Sequence, residues 1–312
     1  MDYFSICDGI GAAHSALLPL GFRCVGVSEV DKFCNQLIDK KFGFKNYGDF
    51  TQWRDWGHID AEVVLAGTPC QSFSALGNLQ GTRAPTGRLT LEFVRFICRN
   101  APRWFIWENV PRVLLADRKR LWRYMCSQFS DRGYSLAWQV LDSQYFGVPQ
   151  HRRRIFLIGH LGSPTGAAKV LFDPETLPIF DAEEQTTAQA DSRTAPLGHY
   201  TDGGKRSRMV THTEQHYTRY RQNNSTVGTL TCQVDGGIEQ ITRLVMDGNR
   251  VRYLTPREYE RLQGFPDDYT AGHSDTRRYK MLGNSMPVPV IRWLGQRILA
   301  VNREITSQSK AG

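Results

Sequence analysis

Residues 63–70 read VVLAGTPC, and the fold turns on how that run is taken. Two β-branched residues open a short apolar stretch, Gly67 and Pro69 close it, and a cysteine follows at once. Those features mark a buried strand that ends in a turn. Cys70 then stands at a strand end, as packing filler or as a nucleophile, and the flanking sequence has to decide which. Working outward, DYFSI, CVGVS, WFIWE and RIFLIG repeat the strand pattern. Between them AAHSALLPLG, DKFCNQLIDKKFG, RLTLEFVRFICRN and RKRLWRYMCSQFSDRG have helical spacing, with Gly21, Gly43 and Gly133 where helices should stop. This alternation predicts an α/β fold with a doubly wound, mostly parallel sheet, whose ligands lie at the carboxyl ends of the strands.

Beyond Gly162 the alternation stops. Pro164, Pro174, Pro178 and Pro196 and the polar run DAEEQTTAQADSRTA break it, and the chain then turns rich in Thr, Gly, Arg, His and Asn, with β-like pieces QITRLVM and RVRYLT. Helical spacing returns in TPREYERLQGF and in PVPVIRWLGQRILAVNREI, where Ile291, Leu294, Ile298 and Val301 share a face. The expected organisation is a catalytic and cofactor-binding domain over 1–162 and 255–312, with a second, smaller and irregular domain over 163–254. The chain of 312 residues is long enough for both. Its formal charge of +8 suits a polyanionic partner and an ordinary basic enzyme alike. Seven scattered cysteines without a C-x-x-C pair suggest neither a disulfide framework nor a zinc site, and fit a reducing cytoplasm. His212 and His216 are four apart, but Glu214 is misplaced for a His-Glu-x-x-His zinc motif, so no metal is expected. Asp2, Asp8 and His14 interrupt the apolar start, and no segment has the length of a membrane span.

The chemistry-bearing residues fall just after strands. CDGIGAA is a Gly-x-Gly turn opening a helix, where Gly9 and Gly11 let a ligand approach the backbone. Glu29, about twenty residues on, ends the second strand where an acid can bind both hydroxyls of a ribose. Without the full Gly-x-Gly-x-x-Gly pattern, an adenosine lacking phosphates suits this turn better than a pyrophosphate. Asp49 can accept a hydrogen bond from an adenine amino group. Pro69 restricts the turn that presents Cys70. Glu108 and Asn109 end WFIWEN in apolar surroundings that raise a carboxyl pKa. Gln150, Arg152 and Arg154 alternate into a strand, so their side chains should share a face able to hold a phosphate or a base edge.

Taken in order, GTPCQSFS, ENV, QHRRR and MLGNS resemble the signature of the DNA cytosine-5 methyltransferases, together with FSICDGIGAA, Glu29, Asp49 and RYLTPREYERLQGFPDDY. The likeness covers nearly the whole chain except its middle. It implies the sheet of the S-adenosylmethionine-dependent methyltransferases and a target-recognition domain in the middle region. The implied reaction moves the methyl group of S-adenosylmethionine to C5 of a cytosine flipped out of duplex DNA, and leaves S-adenosylhomocysteine. Cys70 would add to C6, Glu108 would hold the pyrimidine edge, and Arg154 and Arg152 would steady the adduct. Phe4, Gly9, Gly11, Glu29, Asp49, Pro69, Asn284 and Ser285 become cofactor contacts. Gln71, Ser72, Arg83, Arg88, Gln150, Thr229 and Leu230 become DNA contacts, with the loop from Gln71 to Leu89 closing over the base. Arg252, Thr255, Pro256 and Arg257 resemble the motif that braces the recognition domain. The expected setting is a bacterial or phage-infected cytoplasm, with the enzyme a monomer on DNA, standing alone or beside a cognate restriction endonuclease. Two other readings are a tRNA methyltransferase, although the Cys-Phe-Thr tripeptide of that branch is missing, and a catalytically silent DNA-binding homologue. The chain departs from the family pattern at Asp8, where a small residue is usual, at Ala12 in place of a glycine, and at Met286 in place of valine.

Overall fold

A computed structural model describes residues 1–69, 85–172 and 250–311, with short pieces at 208–209, 227, 229–230 and 244–247. The chain forms two compact units, one of residues 1–141, 154–173 and 291–312, the other of 142–153 and 174–290. Among the described residues no helix is long and apolar enough to cross a membrane.

The first unit is built on a six-stranded sheet in the order β2-β1-β3-β4-β6-β5. Its strands are β1 (Asp2–Ile6), β2 (Arg23–Ser28), β3 (Val63–Gly67), β4 (Trp104–Asn109), β5 (Tyr134–Asp142) and β6 (Arg153–Leu161). β1 pairs in parallel with β2 and with β3, and β3 with β4, while β6 runs antiparallel to β4. The sheet is therefore mostly parallel, and the chain reverses its direction of winding between β1 and β3. In open α/β sheets that switch point opens a crevice at the carboxyl ends of the strands.

Helices α1 (Ala12–Leu17), α2 (Lys32–Phe42), α3 (Pro85–Asn100) and α4 (Arg120–Asp131) connect strands of the sheet, and α5 (Gly166–Phe172) follows β6. Gly21 and Gly43 take left-handed caps at the ends of their helical segments, as their places in the sequence predict. β3 and β4 are covered on both faces, which explains their unbroken apolar runs. Phe4, Phe93, Phe96, Phe105, Trp107 and Phe129 are fully buried in one core under the sheet. A long helix, α8 (Val288–Ala311), brings Ile291, Leu294, Ile298 and Val301 into the first unit, all buried. Gly295 lets it approach α1, since a Cβ there would meet Leu17 Cδ2 at 2.6 Å.

In the second unit β7 (Arg208–Met209), β8 (Leu244–Asp247) and β9 (Arg250–Tyr253) form a small antiparallel sheet. Helices α6 (Pro256–Gln263) and α7 (Asp275–Asn284) follow. Thr255 and Glu258 close a reciprocal capping box at the start of α6, and Arg252 grips both oxygens of Glu258 at 2.7 and 2.9 Å. Arg257 bonds Asp268 in turn. The Arg252–Glu258 pair ties β9 to α6.

Candidate active site

The turn after β1 is held from beneath by charge. Asp8 is buried, and its carboxylate accepts from Ser5 Oγ at 2.5 Å and from His14 Nε2 at 2.8 Å. His14 Nδ1 lies 2.5 Å from Tyr3 Oη. A protonated imidazole donates from both nitrogens and so satisfies both partners. Burial opposes that charge, but the Asp8 carboxylate, through its field and its hydrogen bond, overrides burial and raises the His14 pKa to about 9. The unusual acid thus points into the protein, toward α1. Above it, Gly9 and Gly11 take left-handed conformations with φ of 61° and 80°. Cys7, also at positive φ, occupies the start of the turn, and burial pushes its thiol pKa up.

Glu29, at the end of β2, reaches over this turn. Its carboxylate accepts from the amides of Gly9 at 2.7 Å and of Val30 and Asp31 at 2.8 Å. Burial raises its pKa against the pull of these donors. A carboxylate offers about four lone-pair sites, so three amides leave room for a further donor. Asp49 caps a short 3-10 helix (Phe50–Asp55), its Oδ1 accepting from Thr51 N and Oγ1. Its Oδ2 has no partner among the described residues. Gly-rich turn, Glu29 and Asp49 all belong to the first unit and follow β1, β2 and the next segment, around the switch point. Phe4 is not part of this surface: its ring is fully buried and packs on Phe96, Tyr47 and Trp56.

The ends of β3 and β4 are joined by neutral groups. Their register sets Gly67 beside Glu108, so Thr68 and Asn109 are neighbours. Thr68 Oγ1 accepts from Trp107 Nε1 at 3.0 Å and Asn109 Nδ2 at 3.2 Å, and lies 3.3 Å from Thr90 Oγ1. Asn109 Nδ2 also bonds the Thr68 carbonyl at 3.1 Å. All four residues are buried. Sequence reading alone missed this hub; the signal was the parallel alignment of VVLAG with WFIWE. Glu108, largely buried, pairs with Arg154 Nε at 3.1 Å. Pro69 is the last described residue of the turn, and Cys70, Gln71, Ser72 and Arg83 lie outside the described residues. Arg88 is exposed on α3.

Gln150, Arg152 and Arg154 do not serve as one donor face. Arg154 bonds Glu108, whereas Arg152, only 2 % exposed, donates to the carbonyls of Leu230, Gly283 and Ser285. Gln150 is fully buried, and its carbonyl accepts from Ser143 Oγ at 2.6 Å. The reason is that β6 begins only at Arg153, so strand alternation does not reach back to the earlier pair. Thr229 donates from Oγ1 to the His151 carbonyl and Leu230 is buried. Asn284 is exposed at the end of α7, and Ser285 is buried, its hydroxyl donating to the Met286 carbonyl.

The model of the C-5 cytosine-specific DNA methylase family matches residues 1–300. A Type II methyltransferase of Haemophilus parainfluenzae, M.HpaII, is 30% identical over 325 residues, covering 95% of this chain and 88% of its own. M.DsaV of Dactylococcopsis salina is 28% identical over 316 residues, covering 99% and 89%. Among solved structures, the Dnmt2 methyltransferase of S. pombe superposes with a TM-score of 0.68 at 18% identity, covering 97% of this chain and 99% of that one. A putative DNA modification methyltransferase encoded within an E. coli prophage gives 0.65 at 16% identity, with the same coverage. The fold they share is the one described above, and the chain belongs to the C-5 cytosine-specific DNA methylase family, as a DNA cytosine methyltransferase.

Proposed function

We propose that the protein methylates C5 of one cytosine within a short duplex sequence, with Cys70 as the covalent nucleophile and S-adenosylmethionine as the methyl donor. The observation that carries this reading is the pairing of β3 with β4, which sets Glu108, held by Arg154, beside the strand end leading through Thr68 and Pro69 to Cys70. The donor supplies an electrophilic methyl group. Its adenosine fits the residues after β1 and β2: Glu29 has capacity for a ribose hydroxyl, and Asp49 Oδ2 for an adenine amine. Asn284 and Ser285 are assigned to its methionine end.

Cytosine C5 is a poor nucleophile, and covalent catalysis by the chain's own thiolate removes that obstacle. The Cys70 thiolate adds to C6 while Glu108 holds N3 and the exocyclic amine. The electron pair gathered at C5 then takes the methyl group. Loss of the C5 proton expels Cys70 and restores the ring. Arg154 fixes the Glu108 carboxylate through this sequence, and Arg152 braces the segment around Leu230, Gly283 and Ser285. Since C5 and C6 must be approached from the ring faces, the base has to leave the helix. Residues 163–254, with Thr229 and Leu230, are assigned to target recognition, and Gln71, Ser72, Arg83 and Arg88 to the DNA side of the site, whereas Gln150, being fully buried, is given no DNA contact. The names of M.HpaII and M.DsaV as Type II methyltransferases favour DNA over tRNA, a cytoplasmic setting and a cognate endonuclease as partner.

The test is to express the protein and Cys70→Ala in a bacterial host lacking cytosine methylation, then map 5-methylcytosine in genomic DNA and tRNA. Methylation at one short DNA sequence, abolished in the variant, is expected. Modified tRNA alone, or wild-type methylation by the variant, overturns the reading.

A further inference from the structure

We propose that Arg112, Lys119, Arg120 and Arg123 form a second grip on the DNA sugar-phosphate backbone, carried by the catalytic unit and separate from the recognition segment. The inference rests on the DNA reading above. All four side chains are exposed. None has an acidic partner among the described residues, whereas the exposed Arg23, Arg54, Arg95 and Arg257 do: Arg23 pairs with Asp2, Arg54 and Arg95 with Glu92, and Arg257 with Asp268. Between Glu108 and Asp131 the sequence holds one acid, Asp117, against five cations.

Topology places this charge on the ligand side of the sheet. A 3-10 run (Pro111–Lys119) leaves the carboxyl end of β4 directly after Glu108 and Asn109. α4 then returns antiparallel to β4: Trp122 packs near Trp107, at the carboxyl end of the strand, and Phe129 on Phe105, near its start. Lys119, Arg120 and Arg123 therefore lie toward the same edge as Glu108. Leu121, Trp122, Met125 and Phe129 bury the opposite face of α4. Their charge does not help α4, which has no acid in its first turn and whose N-terminus disfavours positive charge. Phosphates are the complementary partner. Each one neutralised releases counterions, which makes the grip readable in salt.

The experiment measures binding of the full-length protein to a duplex containing its methylation site over a range of salt concentrations. It compares wild type, the triple variant Lys119→Gln, Arg120→Gln, Arg123→Gln, and a control of equal charge, Lys40→Gln, Arg132→Gln, Arg303→Gln. The control residues are exposed and lie away from this edge: Lys40 in the last turn of α2, Arg132 at the far end of α4, and Arg303 beside Asn302, which bonds Trp104 at the start of β4. The slope of log affinity against log salt should become shallower by about 0.9 for each phosphate that the variant no longer neutralises, roughly 1 to 3 in all. The control should keep the wild-type slope. An unchanged slope in the folded triple variant, or an equal change in the control, overturns the proposal. Arg123→Gln alone, one turn into the helix, repeats the reading with a change of up to about 0.9 should the triple variant not fold. Wild-type protein that binds no duplex at any salt would sink the DNA reading and this grip with it.

Discussion

Two turns at the same edge of the sheet are fixed by opposite chemistry. The turn after β1 is pinned by charge, with Asp8 and His14 buried beneath it and Glu29 accepting from the Gly9 amide. The ends of β3 and β4 are pinned by a hydroxyl, an amide and an indole that carry no charge. A buried ion pair is costly to break and sensitive to pH, whereas a neutral hub loses less and ignores pH. The turn after β1 and the turn after β3 should therefore fail under different conditions.

The largest effect is expected from Asp8→Ala. It removes the carboxylate that holds the fully buried His14 in its charged form, and at about pH 6, where the wild-type pair is fully charged, the cost should be about 3 to 5 kcal/mol by urea denaturation. A loss below about 0.5 kcal/mol would erase the charged side of the comparison, within the usual range for a surface change.

Acidity is the next lever. The folded-state His14 pKa is raised to about 9, above an unfolded value near 6.5. Its contribution is therefore full below about pH 6.5 and is lost as pH rises through about 9, roughly 3 kcal/mol in total. The urea midpoint of the wild type should fall across that window. In Asp8→Ala the sign should reverse, since a buried histidine without its carboxylate resists protonation and loses stability as pH falls. A wild-type midpoint that is flat from pH 6 to 9 would contradict the ion pair.

How legible each turn was from sequence follows from the same difference. β1 to β4 and β6 announce themselves as apolar runs, but β5 lies at the sheet edge and alternates irregularly, with Trp138 exposed at 43%, so YSLAWQVLD has no clean period. Gly9, Gly11, Glu29 and Glu108 could be placed because their positions relative to strand ends suffice. Asp8 could be flagged as odd, yet its direction could not be read, since a residue in a turn has no period to say which way it points. Thr68 was invisible alone, because its partners Thr90, Trp107 and Asn109 come together only through strand register and the packing of α3. Arg152 looked like a twin of Arg154 until the strand proved to start between them.

Thr68→Val tests the neutral hub. The change keeps the shape and strips the hydroxyl, so the buried Trp107 Nε1 loses its acceptor while Asn109 Nδ2 keeps the Thr68 carbonyl. One buried donor left unpaired costs about 1 to 3 kcal/mol. The loss should be the same at pH 6 and pH 9, and, with Cys70 as the proposed nucleophile, methylation should slow because the segment leading to it is less firmly tied. A loss that varies with pH would show that the two turns share one electrostatic system.

The smallest effect should come from Thr90→Val. Thr68 Oγ1 already accepts from Trp107 and Asn109, so its proton is the group directed at Thr90 Oγ1, across 3.3 Å, the longest contact of the hub. Removing that acceptor leaves one weakly held proton unsatisfied and both nitrogen donors still paired. A loss near 0.5 to 1 kcal/mol is expected, at the lower end for a hydrogen bond. If Thr90→Val costs as much as Thr68→Val, the donor order is the reverse, with Thr90 giving its proton to Thr68. The anchor of the turn after β3 would then originate on α3 and not on β4.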